Sequence, residues 1–144
     1  MIPPRIFFYE FMNELEEAIV KAIAAEGNNK EANKAYLEFI KANFIIPIEN
    51  GPEEAEPKVL FFEENGNTFL PVFTSLEIMN NWASDIAENI QLLRLSGVDL
   101  LKGIGDNVTV SLNIGSNAYK EFNPSEVMRM RSMILKFFPD KRSQ

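Results

Sequence analysis

The sequence predicts an α+β fold, a single-domain sandwich in which helices flank a mixed sheet of about five strands. Three observations predict it: a strand over 68–73 that is apolar on both faces, a helix start directly after it at Thr74, and stretches of helical periodicity that alternate with short apolar runs. The 144 residues are about one domain's length. We expect a helical N-terminal part over 1–42 and an α+β core over 43–138.

The N-terminal part is predicted to hold two helices. From Glu10 to Glu26 apolar side chains recur at helical spacing, and Gly27-Asn28 is a typical helix end. Asn28 to Glu31 then predicts a capped start for the second helix. The apolar stripe of that helix consists of Ala32, Ala35, Tyr36, Phe39 and Ile40. The apolar run Ile6–Tyr9 is expected to dock on the core, with burial in a dimer as the alternative.

The first strands follow these helices. Phe44–Ile48 predicts one strand, and Pro47 indicates a sheet edge or a strand end because proline cannot donate to a ladder. Asn65-Gly66 favours the positive φ angles of a type I′ turn, which predicts a hairpin between 59–64 and 68–73. The second strand of this hairpin is expected to lie centrally in the sheet, because both of its faces are apolar.

Three helix starts are predicted in the second half of the chain. Thr74 to Glu77 fits a capping box in which the Thr74 hydroxyl accepts from a backbone N–H and Phe73 packs against Ile78. Similar patterns begin at Ser96 and Asn123. The apolar stripes of the first and last of these helices are Ile78, Trp82 and Ile86, and Val127, Met130, Ile134 and Phe137. Trp82 is interpreted as a core residue, with a ligand platform as the alternative.

Two further strands are predicted between these helices. The apolar run 90–95 predicts one of them. Over 108–114 apolar residues alternate with Thr109, Ser111 and Asn113, which predicts a half-buried strand.

The composition argues against most familiar catalytic sites. The chain has no His and no Cys, which excludes His-containing triads, thiolate nucleophiles and His or Cys metal ligands. The glycine turns at Ser96-Gly97 and at 103–105 match neither a P-loop nor a dinucleotide fingerprint. An acid–base pair remains as an alternative, but we interpret the candidate carboxylates as caps and surface charge: Asp85, Glu88, Asp99 and Asp106. We therefore expect no catalytic residues, no cofactor and no metal.

The charge of the chain bears on its partners. The formal net charge is −7, and no Lys/Arg cluster of the kind that binds nucleic acid is present. No apolar run approaches the length of a membrane span, and the first residues lack the order of a signal peptide, so we expect a cytoplasmic protein. We interpret the acidity as serving solubility; the alternative is an acidic surface that meets a basic partner.

One motif resembles a known family. The run Leu70–Ser75, followed by a few helical residues and Trp82, resembles the signature of the SseB N-terminal-domain family, named for enhanced serine sensitivity in bacteria. Upstream, two helices lead into Phe44–Pro47, similar to the family's aliphatic strand that ends in proline. Downstream, an aliphatic strand ends in Asn113-Ile-Gly115, where the family usually has Asn-Pro-Gly, and a C-terminal helix follows. The resemblance covers about residues 30–137.

The resemblance implies a cytoplasmic bacterial α+β domain without an established activity or cofactor. We therefore expect a non-catalytic interaction or regulatory domain that binds a protein partner or self-associates as a homodimer, and that binds neither nucleic acid nor membrane. The alternatives are an acidic immunity- or chaperone-like protein with a basic partner, and a carboxylate-dependent enzyme. The candidate interaction residues are the signature positions: Pro71, Phe73, Thr74, Trp82, Asn113 and Gly115.

Overall fold

Helices and strands follow one another along the chain largely in the predicted order. A computed structural model describes residues 13–26, 28–52, 56, 58–85 and 90–137. The helices in this part are α1 (Glu14–Ala24), α2 (Asn29–Lys41), α3 (Leu76–Trp82), α4 (Gly97–Gly103) and α5 (Pro124–Phe137). The strands are β1 (Asn43–Glu49), β2 (Phe62–Glu64), β3 (Asn67–Val72), β4 (Ile90–Ser96), β5 (Val108–Leu112) and β6 (Lys120–Phe122). The predicted contributions of Ile6–Tyr9 and Ile86, and the carboxylate Glu88, lie outside the described residues.

The strands form two sheets that meet at a corner. A mixed sheet has the order β2-β3-β5-β6, with β3 and β5 parallel and the other pairs antiparallel. A second sheet is the antiparallel pair of β1 and β4. Ile45 and Phe73 join the two sheets by two backbone hydrogen bonds of 2.8 and 2.9 Å. The described residues thus form six strands rather than about five, because β6 is too short to show a period in the sequence.

The hairpin and the central strand are confirmed. Asn65 and Gly66 have φ angles of +52° and +82°, and β2 pairs with β3 across this two-residue turn. β3 lies between β2 and β5 in the sheet, and Leu70 and Val72 on one of its faces are fully buried. An α+β domain with a mixed sheet is therefore the observed fold.

The helices share one core with the mixed sheet. Side chains of α1, α2, α4 and α5 pack against the face of the sheet that carries Leu70, Val110 and Phe122. The ring of Phe39 in α2 lies 4.5 Å from that of Phe44 and 4.9 Å from that of Phe122, measured between centroids. The N-terminal helices are consequently part of the same single domain as the strands.

Three of the four predicted caps are confirmed. The Asn28 side chain caps α2, the Ser96 hydroxyl accepts from the N–H of Asp99, and Asn123 and Glu126 exchange both bonds of a capping box. The cap predicted at Thr74 is wrong: Ser75 caps α3 by accepting from the N–H of Ile78 at 3.2 Å. The Thr74 side chain is bonded instead to residues distant in sequence. Phe73 and Ile78 still share a small apolar cluster.

Of the two positions predicted for Pro47, the sheet edge is confirmed, since Pro47 lies inside β1, an edge strand of the two-stranded sheet. Its nitrogen is on the side facing away from β4, where Ile45 and Glu49 donate outside the β1–β4 ladder. Two predictions about exposure need correction. β5 is buried on both faces and not half-buried, because its polar positions Thr109 and Ser111 are only 8% and 1% exposed. Phe137 is 54% exposed, because α5 ends there beyond the last core position at Ile134.

Candidate functional site

The signature residues meet at the corner where β3 and β5 end. Asn113 is fully buried, and its side-chain Oδ1 accepts from the N–H of Thr74 at 3.0 Å. Its Nδ2 donates to the Thr74 hydroxyl at 3.1 Å, and that hydroxyl donates to a carboxylate oxygen of Glu16 in α1 at 2.7 Å. Helix α1 and the ends of two parallel strands are thereby tied together by side chains at three distant positions.

The backbone of the corner requires the residues found there. Asn113 has a φ angle of +55°, a left-handed conformation that asparagine adopts more readily than most residues. Its carbonyl accepts from the N–H of Ser116 at 3.1 Å, and Gly115 has a φ angle of +86°, which describes a type II turn with glycine in its third position. Ile114 occupies the second position, where proline is common but not required.

A groove lies beside this corner, on the sheet face opposite the helical core. Its volume is about 540 Å³. The lining side chains come from three strands, from α3 and from the turns after β5, and most are aromatic or aliphatic: Leu60, Phe61, Phe62, Glu64, Phe69, Pro71, Trp82, Ile114, Tyr119 and Glu121. Phe61 is 48% exposed and Tyr119 is 38% exposed, so large apolar surface faces the solvent here. We call this feature the aromatic groove.

Two aromatic contacts shape the aromatic groove. Phe62 and Phe69 are cross-strand partners whose rings stack at 5.1 Å between centroids and 8° between planes. The ring of Trp82 lies 5.4 Å from that of Phe73 and remains partly exposed. Trp82 therefore both packs on the core and contributes to the wall of the groove.

One part of the aromatic groove is acidic. The hydroxyl of Tyr119 donates a short hydrogen bond to Glu121. Partial burial, this hydrogen bond and the negative charges of Glu121 and Glu64 raise the pKa of Tyr119 to about 12. Glu64 and Glu121 have no ion-pair partner among the described residues, and none of the described lining residues is basic.

The comparison with protein families decides the relationship of this chain. Residues 15–129 match the family model described as SseB protein N-terminal domain. The chain belongs to this family. No curated protein and no solved structure matched the chain in the same comparisons.

The structure of this SseB domain gives the signature positions two physical roles. Pro71 and Trp82 line the aromatic groove. Phe73, Thr74, Asn113 and Gly115 build the corner behind it. The departure from the family pattern at Ile114 is accommodated, because its position in the type II turn does not depend on proline.

The candidate carboxylates of the SseB domain are separated in the structure. Asp106 forms an ion pair of 2.7 Å with Arg131, and Asp99 belongs to the capped first turn of α4. Asp85 is exposed, and Glu88 lies outside the described residues. Within the described ranges, no three Asp or Glu side chains group together as metal ligands.

Ser96-Gly97 has a packing role in the SseB domain. A Cβ atom at Gly97 would lie 2.2 Å from the carbonyl oxygen of Phe39 and 2.7 Å from that of Ile40. Glycine is required here because α4 passes close to the backbone at the end of α2.

Most of the aromatic groove is not predicted from the sequence. The sequence predicts Phe61, Phe62 and Phe69 only as parts of a hairpin, and Tyr119 and Glu121 lie in a stretch without predicted structure.

Proposed function

We propose that this SseB domain is a non-catalytic, cytoplasmic protein-interaction domain that binds its partner through the aromatic groove. The observation that carries the proposal is the groove itself, a contiguous surface of aromatic side chains that the domain leaves exposed. Exposed apolar patches of this kind mark sites of protein association, and Phe, Tyr and Trp are enriched in the cores of such interfaces.

The arrangement of the sheet supports this assignment. Its other face is covered by the helices and supplies the core, so the Phe62–Phe69 pair is not needed to fill the main core. The ring of Trp82 packs against Phe73, and Phe73 is followed by Thr74, whose backbone is hydrogen-bonded to Asn113, so this wall of the groove is joined to the corner. A preformed apolar surface lowers the ordering cost of association.

Contacts of the candidate carboxylates support a non-catalytic role. Asp106 is paired with Arg131, and Asp99 lies in the first turn of α4, where a negative charge suits the helix dipole, and neither lines the aromatic groove. The regulatory or interaction role expected for the family thus depends on the binding surface and not on a reaction.

Site-specific photocrosslinking tests the proposal. A photoreactive phenylalanine analogue replaces Phe61 in the aromatic groove, and in a matched control it replaces Leu135, which is 76% exposed on α5. We expect a discrete crosslinked protein in living cells from position 61 and none from position 135. Absence of any adduct at 61, or the same adducts from both positions, would refute binding through the groove.

The same experiment separates a partner from self-association. A crosslinked species at twice the mass of the chain, together with a dimer in light scattering, identifies a second copy in the aromatic groove. A crosslinked species of another mass identifies a different protein. In both cases the groove is the interaction surface.

A further inference from the structure

We propose that the aromatic groove recognises a segment of another protein in which a lysine or arginine lies close to a large apolar residue. This inference rests on the proposed function and deepens it by naming the chemistry of the partner. The cation is assigned to the acidic part of the groove at Glu64 and Glu121, and the apolar side chain to the stacked pair of Phe62 and Phe69.

The apolar half of the assignment follows from the floor of the groove. Phe62 and Phe69 are parallel and stacked, and both line the groove together with Trp82. A leucine or aromatic side chain placed there removes apolar surface of both molecules from water. This contact supplies affinity but does not distinguish among apolar partners.

The charged half follows from the unpaired carboxylates. Glu64 and Glu121 both act on Tyr119, so their negative charges lie near the same phenol. Neither carboxylate has a cation partner in the described part of the chain. Glu126 of α5, in contrast, is paired with Lys120 at 3.1 Å. A carboxylate at the rim of an apolar surface is stabilised when a partner supplies the missing cation.

The ring of Tyr119 adds to the selection for a cation. Its hydroxyl is already donated to Glu121, so the phenol brings no free donor for an anionic partner. Ammonium and guanidinium groups are attracted to aromatic faces and to carboxylates alike. An acidic segment, in contrast, would place like charges against Glu64 and Glu121. The net charge of −7 favours approach of a basic segment.

Trp82 provides a direct reporter for this proposal because it is the only tryptophan of the chain and lines the groove. Three short synthetic peptides without tryptophan or tyrosine serve as probes: one alternating lysine and leucine, one alternating glutamate and leucine, and one alternating lysine and serine. We expect the lysine–leucine peptide to shift the emission of Trp82 and to bind at least about tenfold more tightly than the other two, a difference of about 1.4 kcal/mol.

A matched pair of charge variants locates the binding. Glu64→Gln combined with Glu121→Gln is expected to weaken the lysine–leucine peptide about tenfold. Glu14→Gln combined with Glu17→Gln removes the same charge from exposed or half-exposed positions of α1 and is expected to leave the affinity within about twofold. Equal loss in both double variants would show that only the net charge matters and would overturn the proposal.

The remaining outcomes separate this inference from the proposed function. If the glutamate–leucine peptide binds as well as the lysine–leucine peptide, the groove is an apolar docking site and the inference fails while the proposed function stands. If no peptide shifts the emission of Trp82 and no crosslink forms at position 61, both fail. A peptide of this chain's own residues 1–12 that binds as tightly as the lysine–leucine peptide would assign the groove to the chain itself and overturn the inference. A Trp82 emission that changes with protein concentration alone would do the same.

Discussion

Asn113 and Thr74 are hydrogen-bonded to each other although 39 positions separate them: the Thr74 N–H donates to the side-chain Oδ1 of Asn113, and the Asn113 Nδ2 donates to the Thr74 hydroxyl. The backbone N–H of Asn113 also donates to the carbonyl of Val72 at 2.9 Å. Asn113 therefore links the ends of the two parallel strands through both its backbone and its side chain, directly behind the aromatic groove.

Removing the Asn113 side chain should destabilise the domain. Asn113→Ala leaves the Thr74 N–H without its acceptor and places alanine at a φ angle of +55°, so we expect a loss of about 2–4 kcal/mol in the free energy of unfolding. Urea denaturation monitored by circular dichroism measures it.

Ser111 offers a matched control for Asn113. It is almost as buried and lies two residues earlier, in β5, but its hydroxyl has no hydrogen-bond partner in the part of the chain that the structure describes. Ser111→Ala should therefore leave the free energy of unfolding within about 1 kcal/mol, in either direction. Similar losses for the two variants would mean that burial, and not the Asn113–Thr74 bonding, sets the cost.

Gly97 should not tolerate a side chain. Gly97→Ala brings a Cβ atom against two backbone carbonyls of α2, and we expect a destabilisation of about 1–3 kcal/mol or more, measured by thermal and urea unfolding. Gly103→Ala, at a position with open space around its Cβ, is expected to change stability by less than about 1 kcal/mol. Equal effects at the two glycines would contradict a close contact between α4 and α2.

Ionisation of the Tyr36 phenol should lower the free energy of unfolding at alkaline pH. Burial, a hydrogen bond of 2.8 Å to Glu126 and the negative charge of Glu126 raise the pKa of Tyr36 to about 12. In the unfolded chain tyrosine ionises near pH 10. Because the folded state holds this proton more tightly, the stabilisation is complete below about pH 10 and is lost as the pH rises towards 12.

The variant Tyr36→Phe isolates this effect. Between about pH 10 and 12 the free energy of unfolding of this variant should fall less than that of the unmodified chain. The difference between the two decreases is expected to be of the order of 1–3 kcal/mol. Urea denaturation at both ends of this range measures the difference, and lysine titration affects both proteins alike. Parallel pH profiles for the two proteins would count against the assignment.

Arg131 should stabilise the fold mainly by donating to backbone carbonyls and less by its ion pair with Asp106. Its guanidinium donates to the carbonyls of Leu101 and Ile104 as well as to Asp106. Arg131→Gln is expected to cost about 1–3 kcal/mol, because two carbonyls at the end of α4 lose a charged donor. Asp106→Asn should cost less than about 1 kcal/mol, because the Asp106 side chain is 84% exposed. Chemical denaturation of both variants provides the comparison, and a larger loss for Asp106→Asn would reverse the interpretation.

Local signals account for what was predicted well. The Asn65-Gly66 turn, the caps at Asn28, Ser96 and Asn123, and the buried stripe of α5 up to Ile134 each depend on residues a few positions apart. Interactions over such short separations form in the same way wherever the segment lies. The α+β class follows from the order of these elements.

Contacts between distant residues account for what was missed. Thr74 was predicted to cap α3, yet its hydroxyl is bonded to Glu16 and Asn113, and Ser75 caps the helix instead. β6 exists because β5 offers it an edge, and its three residues show no period of their own.

The sequence by itself determined the α+β class, the family signature and the ends of most helices, because each depends on the chemistry of neighbouring residues. Only the tertiary structure decided that Phe62, Trp82 and Tyr119 line one groove, and that Glu64 and Glu121 line it too, with no ion-pair partner among the described residues. The physical reason is that the pairing of strands sets which side chains share a face of a sheet, and that pairing joins residues far apart in the chain.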